Sequence, residues 1–208
     1  MHNLSPFYET FYSAINNTWP MLTLFIVIMS TLKLSRVIIN KDRFVFYKEF
    51  YNLLFILYIL LLYYLLLSTE NAASGMNFTP FKEMTRYSIG SKAFFYNVIG
   101  NIVLFIPFGY FVSDYLKAKK IHHILIPSIL ISLTAELIQY KIGRAFDIDD
   151  IILNFLGAIL GFMCYISMRA IKNHLPKILQ NNIFYNILAI IVIIIIIALF
   201  GSIWGFSL

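Results

Sequence analysis

Apolar stretches of about the length that crosses a bilayer follow one another along this chain of 208 residues. A helix needs about 20 mostly apolar residues to span the hydrocarbon core. Only 12% of the residues are charged, against about 25% in a soluble domain. The sequence therefore predicts an all-α fold, a polytopic integral membrane bundle of about six helices in one domain, 1–208. The predicted spans are approximately Ala14–Leu32, Phe50–Leu67, Ala93–Ser113, His122–Gln139, Asp149–Met168 and Ile183–Trp204.

The basic residues collect in alternate loops. Most of the 16 lysines and arginines lie in 33–48, 117–120 and 169–177, the loops after spans one, three and five. The positive-inside rule places these loops in the cytoplasm and both termini outside. The net charge of +6 is then mainly an orientation signal. We expect contact with membrane lipids and no nucleic-acid partner, because no basic face with stacking aromatic residues lies outside the bilayer.

Polar side chains crowd the predicted turn between spans four and five, which this topology places on the outer face. Ser132, Glu136 and Gln139 share one helix face, since they are spaced i, i+4, i+7. A carboxylate one turn inside the membrane boundary must be paired, protonated or beside a wet cavity. A tight hairpin would bring together six candidate ligand-binding residues: Glu136, Gln139, Arg144, Asp147, Asp150 and Asn154.

Purely structural roles remain open for several of these residues. Asp147 or Asp149 could cap span five, where acids suit the helix dipole. Arg144 could clamp the turn by pairing with Asp147 or Glu136. Small residues four apart on span five, Gly157 and Gly161, predict close packing with a neighbouring helix.

Span three carries a second polar stripe. Asn97 and Asn101 are spaced i, i+4 near its outer end, and we expect them to form a third wall of the same site. Hydrogen bonding between helices is the alternative. The preceding loop contains Asn77–Phe81, in which Asn77 and Pro80 predict a turn, and Phe78 and Phe81 are expected to lie on the membrane or to cover the site.

We predict no metal and no cofactor. The single Cys164 lies in an apolar helix and is expected to be buried. All four histidines lie away from the polar cluster in sequence. Glu136, Asp147 and Asp150 could nevertheless supply oxygen ligands to a hard divalent cation.

Three segments resemble motifs of the VanZ-like family of bacterial membrane proteins. Asn77–Phe81 is similar to its N-x-x-P-F element, and Asn97–Gly109 is similar to N-x-x-x-N-x-x-x-F-x-P-x-G. Ser132–Gly157 resembles the signature S-x-x-x-E-x-x-Q-x-x-x-x-R-x-x-D-x-x-D-x-x-x-N-x-x-G. The similarity covers about 53–170 and leaves 183–204 as an extra C-terminal transmembrane helix.

The resemblance implies a multi-pass protein of the bacterial cell membrane that gives resistance to lipoglycopeptide antibiotics such as teicoplanin. Four functions of the polar cluster remain open. The prediction is binding or shielding at an outward-facing polar pocket that takes a teicoplanin-like lipoglycopeptide or a lipid-linked cell-wall precursor. The alternative is a membrane enzyme acting on a lipid-linked or glycosylated cell-envelope substrate, with Glu136 as general base and Arg144 on a phosphate. A transporter or scramblase and a scaffold for another membrane protein are the remaining two.

Overall fold

The computed structural model describes residues 5–41, 43–67 and 75–203. The α-helices of these residues are α1 (Ser5–Asn40), α2 (Phe46–Leu67), α3 (Lys82–Arg86), α4 (Lys92–Phe94), α5 (Gly100–Tyr115), α6 (His122–Lys141), α7 (Ile148–His174) and α8 (Asn182–Ile203). A π-helical turn, Phe95–Ile99, joins α4 to α5, and a 3-10 helix, Lys177–Gln180, precedes α8. The strands β1 (Met76–Asn77) and β2 (Phe146–Asp147) form a short parallel pair. Trp204, the predicted end of span six, lies outside the described residues.

The helices confirm an all-α, multi-pass membrane protein. Within the described residues, five segments are long and apolar enough to cross a membrane: Tyr12–Asn40, Phe46–Leu66, Lys92–Tyr115, His122–Lys141 and Ile148–His174. A shorter apolar stretch, Asn182–Ala198, belongs to α8. The first helix continues past the predicted end at Leu32, because Lys33 and Arg36 end an apolar run without ending a helix.

The chain divides into two compact units, and the divisions fall inside α1, α2 and α7. One unit comprises Met1–Leu22 with Tyr58–Arg169, and the other comprises Thr23–Leu57 with Ala170–Leu208. In the second unit, the backbone N–H of Tyr47 donates to Asn186 Oδ1 at 3.0 Å. The first unit holds every predicted site residue.

Glycines allow α5 and α7 to pack backbone against backbone in the first unit. A Cβ atom on Gly157 would lie 2.2 Å from the carbonyl oxygen of Ile102, and one on Gly161 would lie 2.1 Å from that of Ile106. On the opposite helix, a Cβ on Gly109 would lie 2.1 Å from the carbonyl oxygen of Ala158. This contact agrees with the packing role predicted for Gly157 and Gly161, and it fixes α7 against α5 beneath the polar residues.

Cys164 is exposed at the surface of α7, so the prediction of a buried thiol was wrong. The contact between α5 and α7 covers Gly161 and Tyr165, whose ring meets that of Tyr110 with centroids 6.1 Å apart, but it leaves Cys164 uncovered.

Candidate functional site

The turn between α6 and α7 reverses the chain through a glycine. Gly143 has φ of 95°, a left-handed conformation that glycine adopts without a steric penalty. The backbone N–H of Arg144 then donates to the carbonyl oxygen of Gln139 at 3.0 Å. Glu136, one turn before the end of α6, is only 2% exposed, and its Oε2 accepts a hydrogen bond from the backbone N–H of Asp147 at 3.0 Å. The buried carboxylate thus ties the end of α6 to the start of α7.

Asp147 caps α7 and also holds the loop that precedes α3. Its Oδ1 accepts hydrogen bonds from the backbone N–H of Asp149 and from Asn77 Nδ2, each at 2.9 Å. The first bond is the N-cap that the sequence predicted for either Asp147 or Asp149. Asn77 lies beside Asp147 in the β1–β2 pair, and its Oδ1 accepts from the backbone N–H of Thr79 at 3.1 Å. Burial raises the pKa of the Asp147 carboxyl above its ordinary value.

Asp149 caps a different helix. Its carboxylate, 1% exposed, accepts backbone N–H groups from the start of α3: Phe81 at 2.5 Å, Glu83 at 2.8 Å and Met84 at 3.1 Å. Asp149 is not among the ligand-binding residues predicted from the sequence. The available signal was the run Asp147-Ile148-Asp149-Asp150, because one cap for α7 does not require three acids.

Two further hydrogen bonds join α7 to its neighbours. Asn101 Nδ2 on α5 donates to Asp150 Oδ1 at 2.6 Å, which brings Asn101 to the cluster through a hydrogen bond between helices. On α6, Ser132 Oγ accepts from Asn154 Nδ2 at 2.9 Å, and both side chains are buried. Asp150 and Asn154 are therefore held in place from two different helices.

Asn97 does not join this network by a hydrogen bond among the described residues. Its Nδ2 donates to the carbonyl oxygen of Ala93, one turn back, at 2.9 Å. Asn97 lies in the π-helical turn Phe95–Ile99, and a π-helical turn changes the angular spacing on which the i, i+4 prediction depended. Asn101, beyond that turn, is the asparagine that reaches α7.

Arg144 and Gln139 both cap α2. Arg144 Nη1 and Gln139 Nε2 donate to the carbonyl oxygen of Leu66, at 3.1 Å and 2.6 Å. Carbonyl groups in the last turn of a helix have no partner within the helix, and a cation there suits the helix dipole. The predicted clamp is not formed: among the described residues, no carboxylate oxygen lies within 4.0 Å of the Arg144 guanidinium. Arg144 remains within electrostatic range of Glu136 and Asp150.

Several buried polar atoms in this cluster have no hydrogen-bond partner among the described residues. They are Gln139 Oε1, Arg144 Nε and Asn154 Oδ1. Gln139 is 4% exposed and Asn154 is 2% exposed, and leaving such a group unsatisfied costs about 1–3 kcal/mol. In the same part of the structure, Glu136 and Asp150 each use one carboxylate oxygen in the hydrogen bonds above. The cluster therefore offers acceptors to hydroxyl or ammonium donors, and one guanidinium donor to an anion.

In the residues that the structure describes, no three His, Cys, Asp or Glu side chains are close enough together to hold one metal ion. Glu136, Asp147 and Asp150 consequently do not form the three-carboxylate group that their order in the sequence allows. Each is directed instead to a different donor: the N–H of Asp147, the amide of Asn77 and the amide of Asn101.

A family model described as VanZ/LLP1 matches residues 50–172. The match contains α5, α6, almost all of α7 and all the site residues described above. Comparison with the curated proteins and with the solved structures gives no match.

Proposed function

The chain belongs to the VanZ/LLP1 family, and from this we propose that it gives a bacterial cell resistance to lipoglycopeptide antibiotics such as teicoplanin by binding or shielding. The proposed binding site is the polar cluster around the α6–α7 turn. With the topology that the positive-inside rule predicts, both termini and this cluster face outward from the cell membrane. An antibiotic or a lipid-linked cell-wall precursor then meets the cluster without entering the cell.

The unpartnered amide oxygens of Gln139 and Asn154 support binding more than a scaffold role. A side-chain network whose only role is to hold two helices together contributes most stability when every buried polar group in it has a hydrogen-bond partner. Here two acceptors and the Nε donor of Arg144 are left over among the described residues. A ligand with hydroxyl or amine groups would satisfy the acceptors, and the sugars of a lipoglycopeptide carry such groups.

The position of the cluster suits an amphiphilic ligand. Glu136 and Gln139 lie in the last turns of one spanning helix, and Asp150 lies in the first turn of the next. A polar group held there is at the level of a membrane boundary, so an attached acyl chain can stay in the adjacent lipid. Teicoplanin combines sugars with a fatty acyl tail in this way.

The test uses substitutions that keep the fold and change the chemistry. In Glu136→Gln, an amide oxygen can still accept from the N–H of Asp147, and Arg144→Lys keeps a positive charge beside the last turn of α2 while it removes the guanidinium. We expect both variants to lose protection against teicoplanin at equal membrane abundance. Asp114→Asn is the matched control, because Asp114, in the last turn of α5, forms an ion pair with Lys117 at 3.3 Å, away from the cluster. If both cluster variants still gave full protection against teicoplanin, the polar cluster would be excluded as the binding site.

Binding can be measured directly on the purified chain in lipid nanodiscs. We expect teicoplanin to bind the wild type and to be recovered with its mass unchanged. A glycopeptide without an acyl chain should bind more weakly, because it loses the lipid contact. Equal affinity of wild type and Glu136→Gln for teicoplanin would contradict a ligand role for this carboxylate.

A membrane enzyme is the second candidate. Its support is that Glu136 keeps one carboxylate oxygen outside the described hydrogen bonds and interacts electrostatically with Arg144. Such a pair could act as general base and phosphate holder on a lipid-linked substrate. Mass analysis of teicoplanin and of envelope lipids after incubation with the protein separates the two functions, since only the enzyme changes a mass.

A further inference from the structure

The loop 75–91, which leads into the Lys92–Tyr115 span, presents large apolar side chains to its surroundings. Phe78 is 64% exposed, Phe81 is 57% exposed and Ile89 is 90% exposed. Scattered single apolar residues are ordinary on a protein surface, but these three lie within twelve consecutive positions.

Hydrogen bonds hold this loop at the ends of spanning helices. Asp149 is the second residue of the Ile148–His174 span, and its carboxylate binds the backbone N–H groups of Phe81, Glu83 and Met84. The start of α3 is therefore one hydrogen bond away from the first turn of a spanning helix. Asn77, whose Nδ2 donates a hydrogen bond to Asp147 Oδ1, holds the other side of the loop beside the same turn.

The chain itself keeps Ile89 at the same level. Lys92, the first residue of a spanning segment, follows Ile89 by three positions. Because a residue extends the chain by at most about 3.6 Å, Ile89 lies within roughly 11 Å of that point. No part of the loop that carries Phe78, Phe81 or Ile89 is thus far from a membrane boundary.

Basic residues alternate with the apolar ones. Three basic side chains in this part of the chain are exposed: Lys82, Arg86 and Lys92. Arg86 also forms an exposed ion pair with Glu83, with 3.1 Å between Nη1 and Oε2. Apolar side chains that enter the acyl region, with Lys and Arg at the level of the headgroups, are the pattern of a segment that lies in the membrane interface. This charge pattern favours phospholipid as the occupant over a second protein surface.

We propose that the loop 75–91 is a membrane-docking element. It inserts Phe78, Phe81 and Ile89 into the leaflet at which it lies and sets Lys82 and Arg86 among the lipid phosphates. Asp149 and Asp147 connect this element directly to the α6–α7 turn, so lipid contact and the geometry of the polar cluster are mechanically linked. The proposal does not depend on what the polar cluster binds.

Depth measurements on the full chain test the proposal. Cys164→Ser removes the single cysteine, and Phe78→Cys, Phe81→Cys and Ile89→Cys then carry a nitroxide label one at a time. The protein is reconstituted in vesicles of phosphatidylcholine and phosphatidylglycerol. We expect labels at these three sites to be more accessible to oxygen, which concentrates in the bilayer, than to a water-soluble nickel chelate. Thr79→Cys and Ser88→Cys, exposed polar positions in the same loop, should give the opposite order.

Two results would overturn the proposal. Ready access of nickel to labels at Phe78, Phe81 and Ile89 would place the loop in water. Protection from both oxygen and nickel would place these side chains against protein, as a cover over the polar cluster. Phe81→Trp in a chain with Trp19 and Trp204 changed to Phe gives an independent measurement that keeps an aromatic ring at this position. Lipids brominated near the headgroup should quench its fluorescence, and absence of quenching counts against docking.

Discussion

The buried carboxylate of Glu136 accepts the backbone N–H of Asp147, with 3.0 Å between Oε2 and the nitrogen. Asp147 is the N-cap residue of α7, and backbone donors at a helix start have no partner within the helix. Glu136 supplies that partner from the end of α6. The hairpin is therefore closed by a side chain to backbone bond and not by the ion pair with Arg144 that the charges alone suggested.

Glu136→Ala should destabilise the protein, whereas Glu136→Gln should leave its stability nearly unchanged. Alanine removes the acceptor and leaves a buried N–H group without a partner, which costs about 1–3 kcal/mol. Thermal unfolding in detergent, followed by size-exclusion fluorescence, measures the difference between the two variants. If the glutamine variant were as unstable as the alanine variant, the charge of Glu136, and not its acceptor oxygen, would be the stabilising feature.

Removing the carboxylate of Asp149 should release α3 locally. Asp149→Ala leaves three backbone N–H groups, those of Phe81, Glu83 and Met84, without their acceptor. We expect hydrogen–deuterium exchange in a peptide covering Phe81–Arg86 to accelerate at least tenfold, because each bond to a charged acceptor contributes about 1.5–3 kcal/mol. Asp114→Ala, which removes only an exposed pair with Lys117, should leave this peptide unchanged.

The helices and most members of the polar cluster could be predicted from the sequence, because both follow from periodic patterns. The predicted span His122–Gln139 differs from α6 only at its end, and the pairs Asn101–Asp150 and Ser132–Asn154 connect polar residues that the sequence predicted to lie near this turn. The patterns could not reveal bonds to backbone groups far along the chain. The carbonyl oxygen of Leu66, shared by Gln139 and Arg144, has no signature in the sequence, since every residue carries a carbonyl group.

The α5–α7 contact should not tolerate added methyl groups. Gly157→Ala and Gly161→Ala would each place a Cβ about 2 Å from a backbone oxygen of α5, so the helices must move apart. We expect a loss of about 1–3 kcal/mol or more in stability, the usual cost of overpacking. Gly75→Ala is the control, because no atom of the other residues that the structure describes lies within 4 Å of its Cβ position. Unfolding temperatures that agree across all three variants would contradict the close contact.

The pair Ser132–Asn154 should show strong energetic coupling. Ser132→Ala leaves Asn154 with neither of its amide atoms hydrogen-bonded among the described residues, because Oδ1 already lacks a partner. We expect this single change to cost about 1–3 kcal/mol, whereas Ser132→Ala combined with Asn154→Leu should recover part of the loss, since two apolar groups need no partner. A double-mutant cycle on unfolding free energies measures the coupling. Additive effects would mean that the bond contributes nothing to stability.

Asp147 should contribute stability to the wild type that is lost as pH rises through the raised pKa of its carboxyl group. Burial is the largest cause of its raised pKa, and the negative charges of Asp149 and Glu83 act in the same direction, although the hydrogen bonds from Asp149 and Asn77 oppose it. The folded state therefore holds the proton of Asp147 more tightly than the unfolded state does. Its contribution is complete below the ordinary pKa of 3.8 and is lost as pH rises through the raised pKa.

Asp147→Asn isolates this contribution, because asparagine can also cap α7 and accept from Asn77 but does not titrate. The stability of the wild type relative to Asp147→Asn should decrease as pH rises from 3.8 through the raised pKa of Asp147, and should be constant beyond it. Melting temperatures of both proteins, measured across this range in the same detergent, give the difference directly. A difference that grows in favour of the wild type with rising pH would mean that its hydrogen bonds lower the pKa of Asp147 more than burial raises it.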